Sequence, residues 1–229
     1  FDATEEDFAK VAVKNHQNGL LNPKAHLQKD ITIDDVMSSA VVASPLKLYD
    51  CCPFSDGASS VVLCSEKFAK AHGGDYVEVI GSGRGGSPAA LQGREHMTTI
   101  PSTKIAAKAA YDMAGITAKD VDFAEVHDCF TIAEVVDTED LGFFGKGQGI
   151  QAIREDRTKL NSDISINPSG GLKSKGHPIG ATGVGQVAEV FDQLTGKAGA
   201  RTVKDAKIGL THNFGATGAS CAVHVFQSV

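Results

Sequence analysis

Residues 121–136 read VDFAEVHDCFTIAEVV. The first six form a short apolar run of strand character, and the residues from Phe130 onward form an amphipathic run of helical character. His127, Asp128 and Cys129 stand at the junction. A strand that feeds a helix across a polar junction is the building unit of an α/β sheet, and such sheets collect their functional groups at strand ends.

Working outward, the same alternation recurs. Downstream of a loop-rich segment, DISIN reads as a short strand, and 167–176 (NPSGGLKSKG) as a flexible turn region. GATGVGQVAEVFDQLTG reads as a helix with apolar positions at Val184, Val187, Val190, Phe191 and Leu194. The sequence closes on two strands, KIGLTHNFG and ASCAVHVF, around a glycine-rich turn. Upstream, residues 102–114 form a helix behind a serine or threonine cap, and 82–100 reads as glycine-rich loop. YVEVIGSG and ASSVVLCS read as strands, with the helix SEKFAKAHGG between them. Residues 4–18 give another helix, with Thr4 as N-cap and Gly19 as its stop, and a short helix falls at 33–39. The expected architecture is an α/β sheet covered by helices.

Composition narrows the function classes. With 229 residues, 41% hydrophobic and 22% charged, the chain reads as an ordinary globular protein. A net charge of −6 argues against a general nucleic-acid or anionic-membrane surface. No apolar run approaches the ~20 residues that span a bilayer, and the acidic N-terminus lacks the parts of a signal peptide. Five cysteines (51, 52, 64, 129 and 221) without CxxC spacing point to a reducing, cytoplasmic compartment. Cys64 and Cys221, inside apolar runs, read as small buried hydrophobes. Cys51 and Cys52 precede PFSDG in a loop and match no nucleophile motif. His127, Cys129, His177 and His212 lack paired-ligand spacing, so no metal is expected.

Three stretches fall at strand ends or helix starts: HDCF (127–130), SKGHPIGATG (174–183) and THNFGATG (211–218). The first supplies a thiol whose acidity a neighbouring imidazole and a following helix could tune. In the second, Pro178 fixes the backbone beside His177, although a lone histidine there could equally bond to backbone. The third strings glycines where backbone N–H groups can approach a ligand, although such runs are also plain turns. SGRGG at 82–86 lacks the Lys-Ser/Thr of a phosphate-binding loop.

Taken together, INPSGGLKSKGHPIGATG, EVHDCF and THNFGATGASCAVHVF, in this order and spacing, resemble the C-terminal part of thiolases of the SCP2-type group, which includes archaeal acetoacetyl-CoA thiolases. FAKVAVKNHQNGLLNP, PLKLYDCCPFSDGASSVVL and LQGREHMTT are similar to that family too. The resemblance implies an α/β thiolase fold: a C-terminal βαβ-type half with a mixed five-stranded sheet between helices. It implies that 1–53 are the remainder of a CoA-binding loop domain, 54–75 the last strand and helix of an N-terminal half, and 76–229 the C-terminal domain.

The resemblance also implies an acyl-CoA C-acyltransferase, forming or cleaving 3-ketoacyl-CoA with coenzyme A thioesters as substrates and no bound cofactor. Common thiolases place their proton-transferring cysteine in a CxGxG motif. Here Asn213 takes that position, and Cys129 of HDCF supplies the thiol. By the same resemblance, His127 is expected to help hold the enolate oxygen, His177 to activate the nucleophilic cysteine and donate to the same oxygen, and the Gly215 N–H to contribute to a second oxyanion hole. The family's nucleophilic cysteine has no counterpart here, so a companion N-terminal half carrying it is expected. A homo-oligomer, dimer or tetramer, is expected as well. Arg84, Arg94, Lys173 and Lys175 neighbour the site in sequence, but none is assigned to coenzyme A. Rival readings are a thiolase-fold acyltransferase or aldolase of another substrate class, and a non-catalytic thiolase-like subunit.

Overall fold

The computed structural model describes all of residues 1–229. In chain order the elements are α1 (Glu5–Leu20), α2 (Ile33–Ser38), β1 (Val41–Ala43), β2 (Leu46–Lys47), α3 (Glu66–His72), β3 (Val77–Gly86), α4 (Pro101–Ala114), β4 (Phe123–Glu125), α5 (Thr131–Asp140), α6 (Gly149–Arg154), β5 (Ser165–Ile166), α7 (Gly171–Ser174), α8 (Thr182–Leu194), β6 (Ile208–Gly215) and β7 (Ser220–Ser228). Five strands make one sheet in the order β3-β7-β6-β4-β5. The β3/β7 and β7/β6 pairs are antiparallel, and β6/β4 and β4/β5 are parallel. This is the expected mixed five-stranded sheet.

Side-chain alternation along the strands sorts the two faces. Leu210 and Phe214 of β6, with Cys221, Val223 and Val225 of β7, point into the main core, where they meet Ala106, Ala107 and Ala110 of α4 and Ala133 near the start of α5. Phe123 and Phe226 point the other way, against Val190 of α8 and Val203. The junction read first from sequence is therefore central: β4 has strands on both sides, and its C-terminal end delivers His127–Cys129 directly into α5.

Two stretches depart from the sequence expectation. Residues 84–86, expected as loop beyond the strand YVEVIGSG, continue β3 to Gly86. Gly81, Gly83 and Gly85 alternate toward α4, and a Cβ on Gly83 would stand 2.0 Å from the Ala106 carbonyl oxygen. The glycines let helix and strand backbones touch, so the composition that reads as a loop is a packing device. Conversely, ASSVVLCS forms no strand, and Val62 and Leu63 are 89% and 79% exposed. Cys64 is exposed as well, whereas Cys221 is buried as expected. The turn region 167–176 contains the short helix α7, and α1 runs past Gly19 to Leu20. The hairpin β1/β2 and helix α6 carried no clear periodic signal in so few residues.

α1 is bolted to the sheet domain by buried polar groups. Lys14 Nζ meets Glu134 Oε1 at 2.5 Å and the Ile166 carbonyl at 3.0 Å. Asn15 Nδ2 donates to both Asp128 Oδ2 (2.8 Å) and Glu134 Oε2 (2.7 Å). No helix is long and apolar enough to cross a membrane.

Candidate active site

Two imidazoles meet where the end of β4 faces the loop before α8. The rings of His127 and His177 pack edge to face with centroids 5.1 Å apart, and Phe214 covers His127 at 4.6 Å. His127 is 7% exposed, and its Nδ1 has no hydrogen-bond partner. Burial, and next the neighbouring His177, hold its pKa down at about 3, so the ring is neutral at physiological pH. His177 is also shifted down, by burial and then by Lys175. Its ring is oriented by Thr182 Oγ1, 2.7 Å from Nδ1, and its backbone N–H donates to Ser55 Oγ at 3.2 Å.

Cys129 lies two residues beyond His127, part-exposed and with its apolar side against the core. Burial, then the carboxyl of Asp137, push its thiol well above the ordinary cysteine range. The following helix is no counterweight strong enough to reverse this. The sequence expectation of a tuned thiol thus meets a thiol held protonated. Asp137 is itself fully buried, with neither carboxyl oxygen hydrogen-bonded, and burial drives it toward the neutral acid. Its Oδ2 stands 3.6 Å from Nδ1 of His212, beyond hydrogen-bond distance. His212 is completely buried, held near Thr103 Oγ1 at 2.9 Å, and its pKa is pushed down to about 3 by burial and then by His127.

Asp128 caps an element other than its own turn. Oδ1 accepts from Leu172 N–H at 2.7 Å and Oδ2 from Lys173 N–H at 3.3 Å, both in α7. α7 runs straight into the loop carrying His177, so this carboxyl joins the two halves of the site. Gly171, at φ +60°, is required there, because a Cβ would stand 2.4 Å from Asp128 Oδ2. Burial, then Glu134, raise the Asp128 pKa to about 7. Glu125, fully buried at the end of β4, adds a second tie. It accepts from Ser169 N–H (2.9 Å) and O–H (2.6 Å) and pairs with Lys175 at 3.4 Å.

Gly215 stands apart from this cluster. It ends β6 one residue past Phe214, and its carbonyl accepts from the N–H groups of Gly218 (2.9 Å) and Ala219 (3.2 Å). With Asn213, Gln186 and Ile179 it lines a cleft of about 500 Å³ that includes none of His127, Cys129 or His177. The structure thus brings the two histidines into contact, sets Cys129 in the same turn as one of them, and leaves Gly215 on a neighbouring surface. Sequence reading missed Ser55 and the bridging function of Asp128. Thr182, five residues after His177 in GHPIGAT, was visible but unremarked. No group of three His, Cys, Asp or Glu side chains is placed to hold a metal ion.

Comparison with known proteins places this geometry in context. Residues 83–228 match the family described as thiolase C-terminal domain-like. An acetyl-CoA acetyltransferase of Methanothermobacter thermautotrophicus is 46% identical over 227 residues, covering 99% of this chain and 59% of its own length. Human sterol carrier protein 2 is 39% identical, over 93% of this chain and 40% of its length. The chain therefore spans three fifths or less of these curated relatives. Among solved structures, an Ltp2-ChsH2(DUF35) aldolase superposes with a TM-score of 0.88 at 24% identity, over 99% of this chain and 59% of that one. A monomeric SCP2-thiolase-like protein type 1 from Mycobacterium smegmatis gives 0.73 at 15% identity, over 98% and 46%. The last corrects one expectation. Homo-oligomerisation rested on the fold family alone, and the fold also occurs in a protein described as monomeric, so it does not carry a dimer or tetramer with it.

Proposed function

This chain belongs to the thiolase superfamily through its C-terminal domain, and we propose that it acts on the carbon next to an acyl-CoA thioester. The narrower form of the proposal is an acyl-CoA C-acyltransferase that joins two acyl-CoA molecules into 3-ketoacyl-CoA or cleaves the product. On this reading the nucleophilic cysteine is supplied from outside these 229 residues, which is compatible with the chain spanning only about three fifths of its acetyl-CoA acetyltransferase relatives.

The observation that carries the reading is the edge-to-face pair of neutral imidazoles beside a protonated thiol. Removing a proton next to a thioester builds charge on the carbonyl oxygen, and neutral donors in a dry site stabilise it without a rearrangement of charge. His127, with an unpaired ring nitrogen, and His177, held by Thr182, supply those donors. Cys129 carries the proton. Held as the thiol, it is in the form that returns a proton to the enolate released in cleavage. Gly215, on the neighbouring cleft, is assigned the oxygen of the acyl intermediate by the family resemblance of NFGAT alone; one such N–H donor is worth ~3 kcal/mol.

A second reading is supported by the relatives. They divide between acetyl-CoA acetyltransferases and sterol carrier protein 2, and the fold is shared by a protein described as an aldolase. A thiolase-like part without turnover, or an acyltransferase or aldolase of another substrate class, keeps the same fold. This broader class has the better support of the two.

The native polypeptide, assayed for CoA-dependent cleavage of acetoacetyl-CoA and for deuterium uptake next to the thioester, separates the readings. Cys129→Ala is expected to lower both by about 10²–10⁴-fold. Deuterium uptake that is absent in the wild type, or equal in the variant, rules out the catalytic reading.

A further inference from the structure

Cys129 has a second cysteine directly across from it. The segment 51–52 pairs antiparallel with the start of α5 through the Cys51–Phe130 bridge, and the Cys52 N–H donates to the Cys129 carbonyl at 3.0 Å. That register sets Cys52 opposite Cys129. The two share that single bond, because the Cys129 N–H turns back to the His127 carbonyl at 2.9 Å. Facing residues of an antiparallel pair have Cα atoms about 4.5–5.5 Å apart and side chains on one face, inside the ~4.4–6.8 Å window of disulfide geometry. Cys51, the adjacent residue, directs its Sγ to the Lys47 carbonyl instead, at 3.5 Å. Both Cys52 and Cys129 are part-exposed.

A second observation points into the same spot. Lys173 is 1% exposed, and its Nζ has no hydrogen-bond partner. The acidic and thiol groups that act on it are Asp128, Cys52, Asp50 and Cys51. Burial lowers the Lys173 pKa, and the groups that oppose this and favour its ammonium are Asp128 first and the Cys52 thiol next.

We propose that Cys52 and Cys129 form a thiol–disulfide exchange site that takes a low-molecular-weight disulfide. Cys52 is the attacking sulfur. It is the thiol that neighbours the unpartnered Lys173 side chain, which favours its thiolate and opposes the rise that burial imposes. The Cys52 thiolate attacks one sulfur of RS–SR, forming a mixed disulfide and releasing RS⁻. The Cys129 sulfur then attacks Cys52, displacing the second RS⁻, and the two protein protons pass to the leaving thiolates. The two protein thiols are oxidised, and one RS–SR is reduced to two RSH. Resting on the proton-carrying role proposed above for Cys129, this exchange would switch that role off in an oxidising medium and restore it on reduction.

The test uses oxidised glutathione on the reduced full chain, followed by alkylation of free thiols, proteolysis without reductant and mass spectrometry. The expected result is a peptide pair linked Cys52 to Cys129, formed equally by Cys51→Ser, abolished by Cys52→Ser and reversed by dithiothreitol. Glutathione found only on exposed Cys64, or a Cys51–Cys52 link, overturns the proposal. Mapping the link needs no turnover, so it stands apart from the catalytic reading. A link that forms while deuterium uptake continues supports the exchange site and removes Cys129 from catalysis.

Discussion

Two runs of the chain invert the usual rule for strands. ASSVVLC, residues 58–64, has three consecutive large apolar residues, two of them β-branched, and forms no strand. VEVIGSGRGG, residues 77–86, has four glycines and forms a strand of ten residues. Intrinsic preference ranks them the other way. The difference is company. β3 pairs along its whole length with β7 and lies against α4, whereas the earlier run finds no strand neighbour among these residues. Strand formation here is decided by what is available to pair with, and preference only sharpens it.

The part of the molecule that has found its neighbours has also buried its charges, and the largest effect is expected there. Glu134 is fully buried and accepts from Lys14, Asn15 and Asn167. Glu134→Ala strands the Lys14 ammonium, 4% exposed, with only the Ile166 carbonyl for company. Breaking a buried pair this way costs about 3–5 kcal/mol. Urea unfolding should show that loss, and a change under 1 kcal/mol would mean that α1 is not bolted to the sheet through this carboxylate.

The glycine strand itself gives the next effect. Gly83→Val improves the residue's strand preference yet should destabilise, because its Cβ would sit 2.0 Å from the Ala106 carbonyl and 2.8 Å from the Ala110 amide. Neither backbone group can move without lifting α4, and overpacking of this kind costs ~1–3 kcal/mol. A stabilised Gly83→Val in thermal unfolding would show that preference, and not company, controls β3.

These two sites also mark what the sequence could disclose. The alternation around VDFAEVHDCFTIAEVV placed β4 and α5, and the apolar spacing of 184–194 placed α8, although the buried positions of α8 include Gln186, Glu189 and Gln193, which apolar spacing does not single out. The end of β3, 84–86, was lost because its inward position, Gly85, carries no side chain; the signal there was a period of two in glycine rather than in hydrophobicity. At the candidate site, HDCF and GHP were legible as chemistry, and the contact of His127 with His177 followed from neither alone. The bond from Asp128 to α7 spans 44 residues, and no local pattern announces it.

The site's burial has a pH signature of smaller size. His127 has a folded pKa of about 3 against an ordinary 6.5. Above pH 6.5 both folded and unfolded forms hold the ring neutral and its burial costs nothing in protons. As pH falls below 6.5 the unfolded chain takes up a proton that the folded chain refuses, so stability is lost toward pH 3. The loss reaches about 1.4 kcal/mol per pH unit for one such group. His212, shifted alike, adds to it, while Asp128, raised to about 7, works oppositely because it is protonated more readily folded than unfolded. Comparing His127→Asn with the wild type cancels the shared terms: the gap should move in the variant's favour by that slope between pH 6 and 4. A gap independent of pH would place the ring in solvent.

The smallest expected effect tests the unpaired run. Leu63 is 79% exposed and Val62 89%, so Leu63→Asp removes no packing from the folded chain and should change unfolding free energy by no more than about 0.5 kcal/mol. It should nevertheless raise solubility, because a charge in a β-branched apolar run blocks edge-to-edge association. Light scattering against concentration reads the second effect and urea unfolding the first. A destabilisation above about 1 kcal/mol would mean the run is packed in solution. Its lack of a strand neighbour would then no longer explain the contrast with β3, and the contrast would have to be sought in the glycines alone.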